Sequence, residues 1–298
     1  MSRKQPLKTW STPVRAENSL MIPCNLCGGS SFKPSLKCEG FGYVRCARCG
    51  LVQMNPQPDK AEVHQRYCKA FGKDYLSYEL ENEAAFLTLQ RLALSDSGFE
   101  ELEKALMSLD NRPSVLDIGC ATGALLTHLR DRGWRVTGVE ISPCAEYARN
   151  ERNLDVRSLP LEENHFPPES FDAVLASHLI EHLNDPRSFL DETRRILKPG
   201  GRVFITTPNI RGFQARLMGS RWRSAIFDHL YLFSARTLKA MLQETGFTVE
   251  GVYTWGGLAA GLAPPWLKKT ADRAVKLLGN GDVMIVRAMN REQITGKK

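Results

Sequence analysis

The chain has 298 residues, 42% hydrophobic and 24% charged, with a formal net charge of +7 and a pI near 9.0. That length buries a sizeable core, and the composition is that of an ordinary globular protein, so a disordered or fibrous chain is excluded. The positive balance suits nucleic acid, anionic metabolites or anionic lipid about equally and selects none of them. No apolar run approaches the roughly 20 residues that a membrane helix needs. The eight cysteines of so long a chain speak for metal ligands or free thiols over a disulfide framework, and a cytoplasmic location is expected.

Residues 1–20 are polar and basic, carry Pro6 and Pro13, and read as a flexible tail without a secretory signal. A small unit follows over 21–58. Cys24-Asn-Leu-Cys27 and Cys46-Ala-Arg-Cys49 have the spacing of a structural zinc ribbon, each pair a tight knuckle followed by glycine. Four thiolates would close the coordination sphere, so no catalysis is expected there. Tyr43–Arg45 and Leu51–Gln53 read as its strands, and Cys38 stays outside the set.

Residues 59–110 read as a helical linker or cap. Phe86, Leu87, Leu89 and Leu92–Leu94 are expected to form one apolar face, and Leu102, Ala105, Leu106 and Leu109 another, before Asn111-Arg112-Pro113 breaks the helix. From Ser114 strands and helices alternate. Strands are expected at Val115–Ile118, Arg135–Glu140, Asp172–Ala176, Arg202–Thr207, Thr248–Tyr253 and Asp282–Met289. Helices are expected at Ala124–Arg132, after Ser142-Pro143, after Asp185-Pro186 as far as Lys198-Pro199-Gly200-Gly201, and at Ser234–Thr245. Apolar strands alternating with amphipathic helices mean an α/β fold with a doubly wound, mostly parallel sheet over 111–290, leaving 291–298 as a tail.

In such a sheet, ligands bind at the carboxyl ends of the strands. Asp117, Gly119, Ala121, Gly123, Glu140, Ser177 and His178 all fall there. Gly119 and Gly123 allow backbone to approach a ligand closely. A carboxylate at Glu140, ending the second strand, can accept two ribose hydroxyls.

The stretches VLDIGCATG (115–123), VTGVEIS (136–142), FDAVLASHLIEHL (171–183), RRILKPGGRVFITTPN (194–209) and HLYLFSARTLKAMLQETGF (229–247) resemble the class I S-adenosylmethionine (SAM)-dependent methyltransferases. The ribbon running into LVQMNPQP resembles a bacterial subgroup associated with sugar, lipid or natural-product methylation. The resemblance implies a Rossmann-like seven-stranded sheet. It also implies that Asp117 and Gly119, Cys120, Ala121 and Gly123 hold the methionine part of SAM, that Glu140 holds the ribose and that Ile141 packs on the adenine. Leu161, Glu162 and Ser177 would complete the donor pocket. Pro160 stands where the family often has an acid for the adenine amino group, which leaves Glu162 or a backbone carbonyl to serve.

His178 and His229 are the candidate general bases for a hydroxyl or carbon acid; a purely hydrogen-bonding role is open for each. His178-Leu-Ile-Glu181-His182 matches the H-x-x-E-H pattern of inverted zinc peptidases, but it starts at a strand end, so its histidines need not share a helix face and no catalytic zinc is expected. Residues 209–233 read as a substrate-covering insertion, its Arg211, Arg216, Arg221 and Arg223 able to clamp an anionic acceptor or to form a solvated face. Trp255–Trp266 reads as an apolar loop or lid. A small-molecule O- or C-acceptor is therefore expected, with nucleic acid not expected in the absence of a recognised binding module besides the ribbon. An RNA or protein methyltransferase using the ribbon for recognition, and a SAM-binding protein without catalysis, are the alternatives.

Overall fold

The computed structural model describes residues 19–70, 72–109, 112–256, 275–276 and 279–291. The first 18 residues, most of the C-terminal tail, Asn111 and the expected lid from residue 257 onward lie outside them. Among the described residues, eleven strands fall into two sheets. Three strands of the N-terminal unit, β1 (Phe32–Lys37), β2 (Gly42–Cys46) and β3 (Val52–Met54), form an antiparallel meander; β1 gave no alternating apolar signal in the sequence. The chain then passes through α1 (Lys60–Gln65), a π-turn (Arg66–Ala70), α2 (Gly72–Asp96) and α3 (Phe99–Met107).

The large sheet contains β4 (Ser114–Ile118), β5 (Arg135–Val139), β6 (Val156–Arg157), β7 (Phe171–Ser177), β8 (Leu197–Pro208), β10 (Phe247–Trp255) and β11 (Val283–Asn290). Its order is β10-β11-β8-β7-β4-β5-β6, parallel except for β11, which runs against both neighbours. The helices α4 (Ala124–Asp131), α5 (Cys144–Arg152), α6 (Pro186–Ile196) and α8 (Ala235–Glu244) connect its strands, and the short α7 (Phe213–Met218) opens the insertion. Order reverses beside β4, which puts the ligand crevice at the ends of β4, β5 and β7.

Local chemistry explains most boundaries. Asp185 caps α6 by accepting from the Ser188 N–H at 3.1 Å, with Pro186 in the first turn. Ser234 and Thr237 form a capping box on α8. The inner faces are as expected: Phe189, Leu190, Thr193 and Ile196 on α6, and Leu238, Met241 and Leu242 on α8, are buried. The helical cap departs from expectation. Leu89, Leu92 and Leu109 are exposed, whereas Ala93, Leu94 and Leu102 are buried as expected; Phe99 joins their packing, and α3 buries Glu103. Its carboxylate meets the Arg132 guanidinium and accepts from Trp134 Nε1 at 2.9 Å, tying α3 to the turn before β5. The Lys198–Gly201 stretch does not end α6 as a loop. It is already part of β8, with a register irregularity against β7 that absorbs the two glycines.

The N-terminal unit is not packed as a free module. A short strand of the insertion, β9 (Tyr231–Leu232), pairs with β3 and completes its sheet. Cys24, Leu26, Tyr43, Leu51 and Val52 share one buried cluster with Trp222, Phe227, Tyr231 and the core of α6 and α8. The Tyr43 hydroxyl, buried between them, donates toward the carbonyls of Ile226 at 2.6 Å and His229 at 2.9 Å. Tyr43→Phe removes the donor from two buried carbonyls and should lower the unfolding free energy by about 1–2 kcal/mol, measured by urea denaturation.

Candidate functional site

The donor end of the crevice is built by one turn. The loop between β4 and α4 is held by the Gly119 and Cys120 N–H groups on Val139 O, at 2.8 and 3.2 Å. Gly123 has φ +77°, and a Cβ there would lie 2.4 Å from Leu154 Cδ1, so the turn into α4 accepts no side chain. Glu140 ends the neighbouring strand and bridges two segments. One carboxylate oxygen accepts from the Ala121 N–H at 2.9 Å, the other from the Ser142 N–H at 2.8 Å. The remaining lone pairs of each oxygen stay available to a ligand.

Asp117 is 2% exposed and stands behind the cavity wall, not in it. Burial, and then the Glu140 charge, push its carboxyl up to about 7. Glu79 of α2 lines the same space; burial likewise raises it, opposed by a hydrogen bond from Tyr75. Several carboxylates crowded around one crevice end disfavour each other's charge, and a cationic ligand relieves that repulsion. A sulfonium-bearing amino-acid nucleoside has the matching charge.

The crevice opens into a cavity of about 1670 Å³. That exceeds the roughly 300–1,000 Å³ of an ordinary small-ligand pocket and leaves room for two molecules. Gly119, Cys120, Ala121, Glu140, Ile141, Leu161, Glu162, Ser177, His178 and His229 all contribute to its wall. Gly123 and Asp117 do not, lying behind the turn. Pro160 O already accepts from Asn164 Nδ2 at 2.8 Å, and Leu159 O from the same group at 2.9 Å, so the exposed Glu162 is the acid of this stretch that reaches the cavity.

His178 and His229 converge from different segments. His178 has φ +52°, a left-handed conformation that a non-glycine residue holds only under constraint, here with its N–H on Thr206 O at 2.8 Å. Its Nδ1 lies 3.4 Å from Glu181 Oε1. His229, 7% exposed, places Nδ1 2.8 Å from Ser224 O; burial, and then the nearby His182, lower it to about 3. The His182 and His229 rings meet edge-on with centroids 4.6 Å apart. Burial pushes Glu181 up, but His178 first and then His182 and His229 outweigh it and hold the carboxylate at about 2.

Much of the wall was not legible in the motifs. The π-turn brings Tyr67 to His182, hydroxyl to Nδ1 2.7 Å, and α2 adds Tyr75, Tyr78, Glu79, Glu83 and Phe86. Glu83 fixes α2 on the donor turn: it accepts from Thr122 Oγ1 at 2.6 Å and from Arg152 at 2.6 and 2.7 Å. No sequence signal short of pairing Glu83 with Thr122 across 39 positions could have found this. The arginines of the insertion behave unlike a clamp. Arg223 lines the cavity, whereas Arg211, Arg216 and Arg221 are exposed outside it. Trp222, Phe227 and Tyr231 pack toward the N-terminal unit.

In that unit the four cysteine sulfurs lie within 4.8 Å of one another, with Cys24–Cys49 at 3.4 Å and Cys27–Cys46 at 3.5 Å. The two knuckles repeat the same bonds. Gly28 and Gly50 donate to the first cysteine carbonyl of each pair, and Cys24 and Cys46 donate to Gly29 O and Leu51 O. A tetrahedral Zn–S bond of about 2.3 Å separates sulfurs by about 3.8 Å, so the set fits one ion.

A family model described as a methyltransferase domain matches residues 88–252, more than half of the chain. The chain is 31% identical over 182 residues to a protein of Mycolicibacterium smegmatis named a probable S-adenosylmethionine-dependent methyltransferase, covering 58% of this chain and 68% of that one. It is 34% identical over 112 residues to the ubiquinone biosynthesis O-methyltransferase of Idiomarina loihiensis, covering 35% and 46%. The match therefore spans about half of that relative's length. A SAM-dependent methyltransferase from Thermotoga maritima superposes with a TM-score of 0.49 at 23% identity, covering 73% of this chain and 98% of that one. With the sheet order, the glycine turn and the matched domain together, the chain belongs to the class I SAM-dependent methyltransferases.

Proposed function

We propose that the protein transfers the methyl group of SAM to a hydroxyl of a small, largely apolar molecule. The observation that carries this reading is the single cavity joining the acid-lined donor turn to a histidine cluster through a wall of Val63, Phe86, Ile141, Leu179, Leu183 and Trp255. The O-methyltransferase name of several relatives supports the same acceptor chemistry. In the N-terminal unit, Phe41 and Tyr43 pack on the insertion and so support that wall of the cavity.

SAM would supply an activated methyl carbon. The Glu140 carboxylate would take its ribose, Asp117 and Glu79 would offset its positive charge, and Ile141, Leu161 and Glu162 would surround the base. His178 is the favoured proton acceptor, because it stands half-exposed in the cavity at the end of β7. His229 is enclosed and tied to Ser224 O, which suits it to a positioning role. The protein aligns acceptor oxygen, methyl and sulfur and excludes water; the oxygen–carbon bond forms as the carbon–sulfur bond breaks, and the hydroxyl proton leaves to the base. The cysteine set would hold one structural zinc. That ion would fix the ribbon against β9 and so steady the wall that carries His229.

Turnover of SAM to S-adenosylhomocysteine with phenolic or catechol-like acceptors, and none with tRNA or with protein extracts, is the expected result. Turnover confined to RNA or protein would overturn the reading. His178→Ala should lower kcat about 10²-fold with a smaller change in KM. Donor affinity should weaken as pH falls. Asp117 is held near 7, so below that pH it takes a proton and ceases to attract a cation, while above it the charge is present. Calorimetric titration at pH 6 and pH 8 checks this; Asp117→Asn should bind weakly at both and lose most of the difference, and Glu140→Ala should weaken binding by more than about 1 kcal/mol. Freshly purified protein should carry one zinc per chain by elemental analysis, and Cys24→Ser should destabilise the ribbon without direct loss of donor binding.

A further inference from the structure

We propose that Glu181, His182 and His229 form a divalent-metal site at the acceptor end of the cavity. The H-x-x-E-H stretch is not a peptidase motif here, since His178 stands outside the set. The third ligand comes instead from the insertion, 47 positions beyond His182 by the numbering. One nitrogen or oxygen of each of the three residues lies within 4.8 Å of the others. Ligands bonded at about 2.0–2.2 Å stand roughly 3.0–3.5 Å apart, so closure needs a contraction of at most about 1.8 Å.

The hydrogen-bond partners suit metal ligands. Carbonyl oxygens only accept, so His229 Nδ1, 2.8 Å from Ser224 O, carries the hydrogen, and the 2.9 Å contact of His182 Nδ1 with Asp228 O favours the same tautomer there. The neutral rings then present their Nε2 lone pairs. An imidazole whose far N–H is anchored on a backbone carbonyl is the usual support of a metal-bound histidine. Tyr67 OH, 2.7 Å from the same His182 nitrogen, shares that hydrogen in this tautomer and holds the ring from the π-turn, a form of helix found often at functional sites.

The independent observation is Glu181. Its side chain is 1% exposed, and Oε2 accepts from Thr207 Oγ1 at 2.9 Å. Oε1 is buried and has no hydrogen-bond partner among the described residues. His178 Nδ1 stands 3.4 Å from it, beyond good hydrogen-bond length. A buried carboxylate oxygen without a hydrogen bond is costly, and a cation beside two imidazole nitrogens removes that cost. Two nitrogens and one oxygen suit Zn²⁺, Mn²⁺, Fe²⁺ or Co²⁺ and leave positions open.

Because His182, His229 and His178 line the cavity, an ion here faces the acceptor. Its further role, holding an acceptor hydroxyl and making it more acidic so that the proton leaves more readily to His178, rests on the methyl-transfer reading above; the existence of the site does not.

The test separates the two. Full-length protein, with its four-cysteine site zinc-loaded, is dialysed against chelator and titrated with Mn²⁺, followed by electron paramagnetic resonance of the free ion, and separately with Zn²⁺ by calorimetry. One ion per chain should bind beyond the cysteine-bound zinc. Glu181→Gln, which keeps the volume and the Thr207 contact, should weaken it at least tenfold, and His182→Asn likewise if the first variant folds poorly. Failure of both ions to bind, or unchanged binding in both folded variants, would overturn the site. Normal metal binding without any effect of chelator on turnover would leave the site and remove its catalytic role.

Discussion

Two acidic residues at the ends of adjacent parallel strands constrain everything built on them. Asp117 and Glu140 are buried within reach of each other's charge at the carboxyl edge of β4 and β5. Glu140 resolves its own burial by accepting from Ala121 and Ser142, and in doing so it fixes the glycine turn and the start of α5 in one position. Burial and the Glu140 charge push the Asp117 carboxyl up to about 7, so its ionised form is costly without a cation beside it. The price of that arrangement is a pocket whose field favours a cation, which is what a sulfonium donor provides.

The cap makes this field effective. Glu83 links α2 to Thr122 of the turn and to Arg152 of α5, so a helix from outside the large sheet becomes the roof of the donor crevice. The same helix and the π-turn before it carry Tyr67 and Phe86 over the cavity. Charge below and apolar surface above suit two substrates of different character lying end to end, with water excluded where they meet.

The N-terminal unit completes the other wall. Its third strand borrows β9 from the insertion, and Tyr43 holds the Ile226–His229 segment by two carbonyls. His229 therefore owes its place to a residue 186 positions away in the chain. The cysteine knuckles and the segment that carries His229 belong to one packed cluster, with the aromatics of the insertion pointing toward the ribbon.

Short-range physics wrote the class of this protein into its sequence. The knuckle spacing, the glycine turn after β4, the caps of α6 and α8 and the apolar strands each depend on residues within a few positions of one another, and their locations in the fold follow the sequence closely. The family resemblance carried by 115–123 and 171–183 extended this to the identity of the donor. Tertiary packing decided the rest. Which face of α2 is buried, that three of four arginines leave the cavity, and that Glu181, His182 and His229 share one corner depend on contacts across tens to hundreds of positions, for which a linear pattern holds no period or spacing.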